Sequence, residues 1–223
     1  MQFIRSADSE PGINDLQKRL SQALGRKQNI LWLLSGGSNI AASVSIMQQL
    51  DAELTRNLSL MLGDERFGPV GHPDSNATQL DAAGFAPKYA TMIPVLVAGL
   101  DLSATREHYE QAALQAFQKA DVVIGQFGIG SDGHIAGILP HSQATDTPDF
   151  VAAYLGPDFS RLTLTAHALK RLAVAYAFVF GESKHDTLER LHDQTLPYRE
   201  QPSQILKELP EAYVYNDQIG DQA

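Results

Sequence analysis

The 223-residue sequence contains no cysteine. That absence removes structural disulfides, thiolate metal sites and cysteine nucleophiles together. Long apolar runs are also missing. The longest candidate, "LAVAYAFVF" (172–180), is strand-sized, whereas a membrane-crossing helix needs about 20 apolar residues. The opening "MQFIRSADSE" lacks the apolar core of a secretory signal, so the cytoplasm is the expected compartment. Positive charge is scarce: 17 Lys and Arg face 26 Asp and Glu, for a formal net charge of -9. Phosphate backbones and anionic membranes are held by clustered cations, so neither nucleic acid nor a membrane is an expected partner. An anionic small molecule would need a few local cations to hold it against the overall field. Metal signatures are lacking too: there is no HExxH, and the seven histidines have no tight ligand spacing. Asp64 or Glu65 with His72 or His134 is the one zinc combination worth naming, and the expectation is no metal and no cofactor.

What is present is an ordinary globular composition, 43% hydrophobic and 19% charged. Ile13, Leu16, Leu20 and Leu24 share one helical face, which Gly25 would close. "NILWLL" (29–34) reads as the first strand, a continuous apolar run of the kind covered on both faces. Ile40, Val44, Met47, Leu50 and Leu54 recur at helical spacing. "LSLML" (58–62), "DVVIGQF" (121–127), "RLTLT" (161–165), "LAVAYAFVF" and "AYVYN" (212–216) read as further strands. Residues 103–120 and 183–193 read as helices. Alternation of this kind predicts an α/β fold with three αβα layers, Rossmann-like, a mainly parallel sheet and helices on both faces. No linker divides the chain, so residues 1–223 are expected to form one domain.

In open parallel sheets, ligands bind beyond the carboxyl ends of the strands. "NILWLL" is followed by "SGGSN", "LSLML" by "GDERFGPVGHPDSN", and "DVVIGQF" by "GIGSDGH". The unusual polar residues therefore converge on one edge. Ser35-Gly36-Gly37-Ser38 enters a helix, and its glycines and helix N-terminus suit a phosphate. Taken alone, it reads equally as a tight turn capped by serine. No P-loop lysine follows, which argues against a nucleoside triphosphate. Asp64, Glu65 and Arg66 are consecutive, so one should point inward while another braces the loop. Arg66 suits a bidentate grip on phosphate or carboxylate, or else belongs to a surface ion-pair cluster. Asp74, Ser75 and Asn76 read as a turn and helix cap. Gly128, Gly130 and Gly133 have GxGxxG spacing, but Pro140 cuts the next segment short, and Asp132 and His134 crowd the place of a pyrophosphate. His134, two residues from Asp132, reads as a general base or as an ordinary capping or core histidine.

"SGGS", "GDERF…HPDSN" and "GIGSDGH", in that order, resemble the signature segments of the 6-phosphogluconolactonases, within the wider glucosamine-6-phosphate isomerase/deaminase superfamily. "RLTLT" and "GESK" (181–184) are weaker echoes, and the resemblance spans roughly residues 12–217. It implies the glucosamine-6-phosphate isomerase/CoA-transferase-like fold. It also implies cofactor-free hydrolysis of 6-phospho-D-glucono-1,5-lactone, a small sugar-phosphate lactone, in the oxidative pentose phosphate pathway, by a monomer or small homo-oligomer. His134 would activate water, and Asp132 or Asp64 would orient the imidazole or the sugar hydroxyls. Backbone N–H groups of the glycine loop, around Gly130, would face the oxyanion. Ser35, Gly36, Gly37, Ser38, Arg66 and Lys184 would hold the phosphate. The deaminases of the superfamily follow their histidine with Asn-Glu-Pro, whereas five residues beyond His134 stands Leu139. A phosphosugar sensor would carry a helix-turn-helix module, which a first strand near residue 29 leaves no room for. Two departures stand out: Asn39-Ile40 replaces the usual Thr-Pro, with consequences for the start of the helix, and His141 replaces a glycine from which it could enter the pocket.

Overall fold

The computed structural model describes residues 1–222. The first half runs β1 (Gln2–Arg5), α1 (Glu10–Gly25), β2 (Ile30–Leu34), α2 (Ile40–Gln49), β3 (Leu58–Leu62), β4 (Asp64–Arg66), α3 (Asn76–Ala82), β5 (Thr91–Ile93) and α4 (Leu102–Lys119). The second half runs β6 (Val122–Phe127), β7 (Val151–Leu155), β8 (Ser160–Leu164), α5 (Ala166–Leu169), β9 (Val174–Val179), α6 (His185–Asp193), β10 (Glu211–Asn216) and β11 (Asp221–Gln222).

Eight strands form one sheet in the order β11-β1-β10-β9-β6-β2-β3-β5, and every pairing in it is parallel. All residues of β2 and β9 are buried, as a sheet covered on both faces requires. Trp32, Phe127 and Tyr176 are among its fully buried side chains, each contributing on the order of 1.5–3 kcal/mol by leaving water. The expected α/β architecture with a parallel sheet is the one observed.

Order in the sheet locates the site. From β2 the chain moves one way, to β3 and β5; β6 then lies on the other side of β2. The loops after β2 and β6 therefore diverge across a topological switch point, where a crevice opens.

Several local expectations need correction. The first strand is β1, not the run near residue 29. It is four residues, exposed at Gln2 and Arg5 and partly buried at Phe3 and Ile4, too short an apolar signal to read as a strand, and fixed by pairing with β10. The helix read through Leu54 stops at Gln49, and Leu54 lies in a separate 3-10 turn (Glu53–Asn57). There the Asp51 side chain accepts from Glu53 N at 2.8 Å, a local turn that competes with helix. Gly25 is the last helical residue of α1, and the left-handed turn falls on Lys27. "RLTLT" is a strand, but it belongs to a second, antiparallel sheet of order β4-β8-β7. Gly63 makes the transition: its N–H donates to Leu34 O at 2.8 Å while its carbonyl accepts from Leu164 N at 3.0 Å. The chain thus leaves β3 in the large sheet and enters β4 in the small one, above the crevice.

Candidate active site

A cleft of about 180 Å³ lies at the switch point, lined by Ser35, Gly36, Gly37, Ser38, Asp64, Arg66, Gly130, His134 and Lys184, with Asn39, Asn76, Gly128 and Arg161 among its other walls. It is smaller than the pockets that bury drug-sized ligands, roughly 300–1,000 Å³. A compact ligand fits it better than a dinucleotide. No helix follows β6 directly, so Gly128, Gly130 and Gly133 do not head the helix that a dinucleotide fingerprint requires.

The small sheet sorts the charges of residues 64–66. Side chains alternate along a strand, so Asp64 and Arg66 share one face of β4 and Glu65 takes the other. Arg66 and Arg161 are cross-strand partners in the β4–β8 ladder. Like charges placed opposite each other repel, and an anion between them reverses that cost. Nε of both arginines and Oδ1 of Asn76 are buried and unpartnered among the described residues. Arg66 is held by Nη1 donating to Asp74 O at 2.9 Å, and its guanidinium lies 5.4 Å from the centroid of the Phe159 ring.

Glu65 is the brace. Fully buried, its carboxylate accepts from Arg66 N, Asn76 N, Ala77 N and the Ser75 hydroxyl at 2.6–3.0 Å. Ser75 caps α3 by accepting from Thr78 N, as its sequence context predicts. Asn76, read only as part of that cap, instead lines the cleft, and its Nδ2 donates to Asp64 O at 3.0 Å. Asp64 itself is buried. Burial first, and the Glu65 charge second, push its carboxyl pKa up, against the opposing pull of Arg161, His134 and Arg66.

In the third loop, His134 Nδ1 lies 2.7 Å from Asp132 Oδ1, which also accepts from His134 N at 3.1 Å. Burial works against the Asp132 carboxylate, but hydrogen bonding to His134 and its charge outweigh it and hold the pKa at about 2. An ionised acceptor at Nδ1 assigns the proton to that nitrogen and leaves the Nε2 lone pair free. Glycine is required beneath this pair: a Cβ on Gly130 would stand 2.1 Å from His134 Nδ1. Gly133 has φ +90 and packs against Gln201, and its carbonyl accepts from Ser203 N at 3.0 Å. The Thr187 hydroxyl holds the loop by donating to Ser131 O.

One expectation is narrowed and another fails. Gly130 lines the cleft, but Gly130 N donates to His134 O and Gly133 N to Gly130 O, so an oxyanion would have to be met by other N–H groups of the loop. His141 is exposed and does not line the cleft. Its backbone has φ 57, and its N–H donates to Arg199 O, which turns it away. Arg161 is the residue sequence reasoning missed. Its strand was recognised in "RLTLT", but not its role opposite Arg66. Among the described residues no cluster of His, Cys, Asp or Glu could hold a metal ion, and no helix is long and apolar enough to cross a membrane.

Fold and site together define an α/β protein with a small, cation-walled cleft at a parallel-sheet switch point, beside a histidine–aspartate pair. The sequence model described as glucosamine-6-phosphate isomerases/6-phosphogluconolactonase matches residues 9–215, and the chain belongs to this family. It is 26% identical over 217 residues to a 6-phosphogluconolactonase of Synechocystis sp., covering 91% of this chain and 88% of that protein. To the 6-phosphogluconolactonase of Mycobacterium tuberculosis it is 27% identical over 201 residues, 81% of each. Among solved structures, the devB protein superposes with a TM-score of 0.82 at 21% identity, over 96% of this chain and 95% of that one. The 6-phosphogluconolactonase from Thermotoga maritima gives 0.79 at 19%, over 96% and 97%. At such identities the superpositions establish the fold.

Proposed function

We propose that the chain, acting as one catalytic domain, is a carboxylic-ester hydrolase that opens 6-phospho-D-glucono-1,5-lactone to 6-phosphogluconate. The observation that carries this reading is that one cleft brings two facing arginines together with His134, which Asp132 backs from outside the lining. Ser35 to Ser38, Arg66 and Lys184 grip the 6-phosphate, with Arg161 added to that set. The N-terminal end of α2 behind residues 36–39 adds its dipole. Asp132 orients the imidazole, which leaves Asp64 to the sugar hydroxyls.

Nε2 of His134 takes a proton from water as the water oxygen bonds to the lactone carbonyl carbon. Charge that develops on the carbonyl oxygen lies in a cleft walled by cations, which stabilise it. Collapse breaks the ring C–O bond, and the imidazolium returns its proton to the departing ring oxygen. The products are a hydroxyl and a carboxylic acid, which keeps the second proton of the water and releases it to solvent as it ionises. No cofactor enters this sequence.

The deaminase alternative requires a carboxylate where Leu139 stands, and Leu139 packs against the hydrophobic core. A phosphosugar sensor would bind the ligand without hydrolysing it. Turnover decides between enzyme and sensor. With spontaneous lactone opening subtracted, the wild type should hydrolyse the phosphorylated lactone. His134→Ala should lower kcat by about 10²-fold or more, the usual contribution of a general base. Binding of 6-phosphogluconate without turnover would refute the reading.

A further inference from the structure

Asn39 is one of the two departures from the family pattern, and the fold gives it a task. It is 1% exposed and precedes α2, yet its side chain makes no cap to that helix. It reaches across the switch point instead. With the amide oriented to satisfy both of its neighbours, Nδ2 donates to Phe127 O at 3.0 Å and Oδ1 accepts from Gly128 N at 3.2 Å. These two bonds imitate a further rung of sheet, placed where the β2–β6 ladder has ended at Leu33 and Gly125. Around them, the Ser35 hydroxyl donates to Gln126 O at 2.9 Å, and Gln126 Nε2 donates to Asn39 O at 3.1 Å. The Ser43 hydroxyl joins the same Gln126 side chain at 3.1 Å. The fit is reciprocal: a Cβ on Gly128 would stand 2.8 Å from the Asn39 amide.

We infer that Asn39 is a positioning residue that fixes the separation between the phosphate-gripping loop (35–38) and the general-base loop (128–134). The inference rests on the function proposed above. The phosphate arm and the lactone carbonyl are held at a fixed spacing on one small ring, their carbons flanking the ring oxygen, so the loop that anchors one must be in register with the loop that attacks the other. A substrate without phosphate is not anchored and does not feel that register.

This separates positioning from mere stability. Asn39→Ala should lower kcat/KM on the phosphorylated lactone by about 10- to 100-fold, the range expected for misplacement on the order of 1 Å. On the unphosphorylated lactone of the same sugar the change should stay within about twofold, and competitive inhibition by inorganic phosphate should be unchanged, because register is irrelevant to either. Gly128→Ala, at a position without a left-handed φ, should wedge the staple open and give the same signature. In the Asn39→Ala background the methyl has room, so it should add almost no further loss, a non-additivity expected of residues in contact. Equal proportional losses on both lactones overturn the inference. So does a Gly128→Ala penalty that persists undiminished in the double variant. A wild type inactive on the phosphorylated lactone overturns the functional reading and this inference with it, whereas an active wild type with proportional losses overturns this inference alone.

Discussion

Asp132→Asn isolates the charge behind the proposed general base while keeping its geometry. The amide oxygen can still accept from both Nδ1–H and the backbone N of His134, at the 2.7 and 3.1 Å positions the carboxylate occupies. What is lost is the negative charge facing an imidazole that becomes cationic as it takes the proton. Hydrogen bonds with an ionised partner exceed neutral ones by about 1–1.5 kcal/mol. The two side chains are 38% and 49% exposed, so solvent screening keeps the value at the low end of that range. About 1 kcal/mol corresponds to a roughly fivefold fall in kcat. KM should change little, because the charge matters in the transition state more than in the bound substrate. Asp132→Ala, which also removes the acceptor that selects the tautomer, should fall further, to about 10²-fold, the range of losing the base itself. Stopped-flow or coupled assays with the non-enzymatic rate subtracted read both numbers. Wild-type kcat in Asp132→Asn, or equal losses in the two variants, would refute the orienting role.

Arg66→Ala should raise KM strongly for the phosphorylated lactone and far less for the unphosphorylated one; equal effects on both would remove Arg66 from the phosphate grip. Asp64→Asn should cost activity yet raise Tm at neutral pH. The fold raises the Asp64 pKa, so the ionised carboxylate opposes folding at pH values above its folded pKa, and that cost disappears as acid protonates it; the Tm gain should therefore shrink towards low pH, and a gain that grows in acid would contradict the sign. Glu65→Ala strips a buried acceptor from three backbone N–H groups and the Ser75 hydroxyl, and should destabilise the chain by about 3–5 kcal/mol, since each buried donor left unpaired costs about 1–3 kcal/mol before the loop relaxes; thermal or urea unfolding measures it.

The sequence disclosed most where one physical cause acts alone. β2, β3, β6 and β9 are continuous apolar runs because both of their faces are covered, and each run was legible as a strand. The loops at their carboxyl ends were legible as a site for the same reason, since parallel topology sends all those ends to one edge. Strands created by pairing rather than composition stayed hidden. β4 is Asp-Glu-Arg, which no propensity would read as a strand, and it exists through its ladder with β8 and through Glu65 anchoring α3. Arg161 was invisible as a site residue because its importance is its register opposite Arg66, a long-range fact. A period-two reading of "SRLTL" places Arg161 and Thr163 on one face, and that signal could have raised the question. Asn76 was masked by its neighbour: Ser75 supplies the cap, and the adjacent buried amide serves the cleft.

The opposition between the whole chain and its site also has a structural answer. A net charge of -9 repels an anionic substrate at long range, but exposed charges more than about 10 Å away are largely screened at ordinary ionic strength. Within the cleft, Arg66, Arg161 and Lys184 outnumber Asp64, and their field acts over contact distances that salt screens far less. The cations come from three places, β4, β8 and the entry to α6, so no single segment of sequence looks basic. They meet only because Gly63 carries the chain out of the large sheet and sets a second sheet over the switch point. In the proposed function the large sheet supplies the two loops that hold and attack the substrate, and the small sheet the arginines that oppose its charge. Neither sheet lines the cleft alone, so the bend at Gly63 between β3 and β4 shapes the site although it bears no functional group.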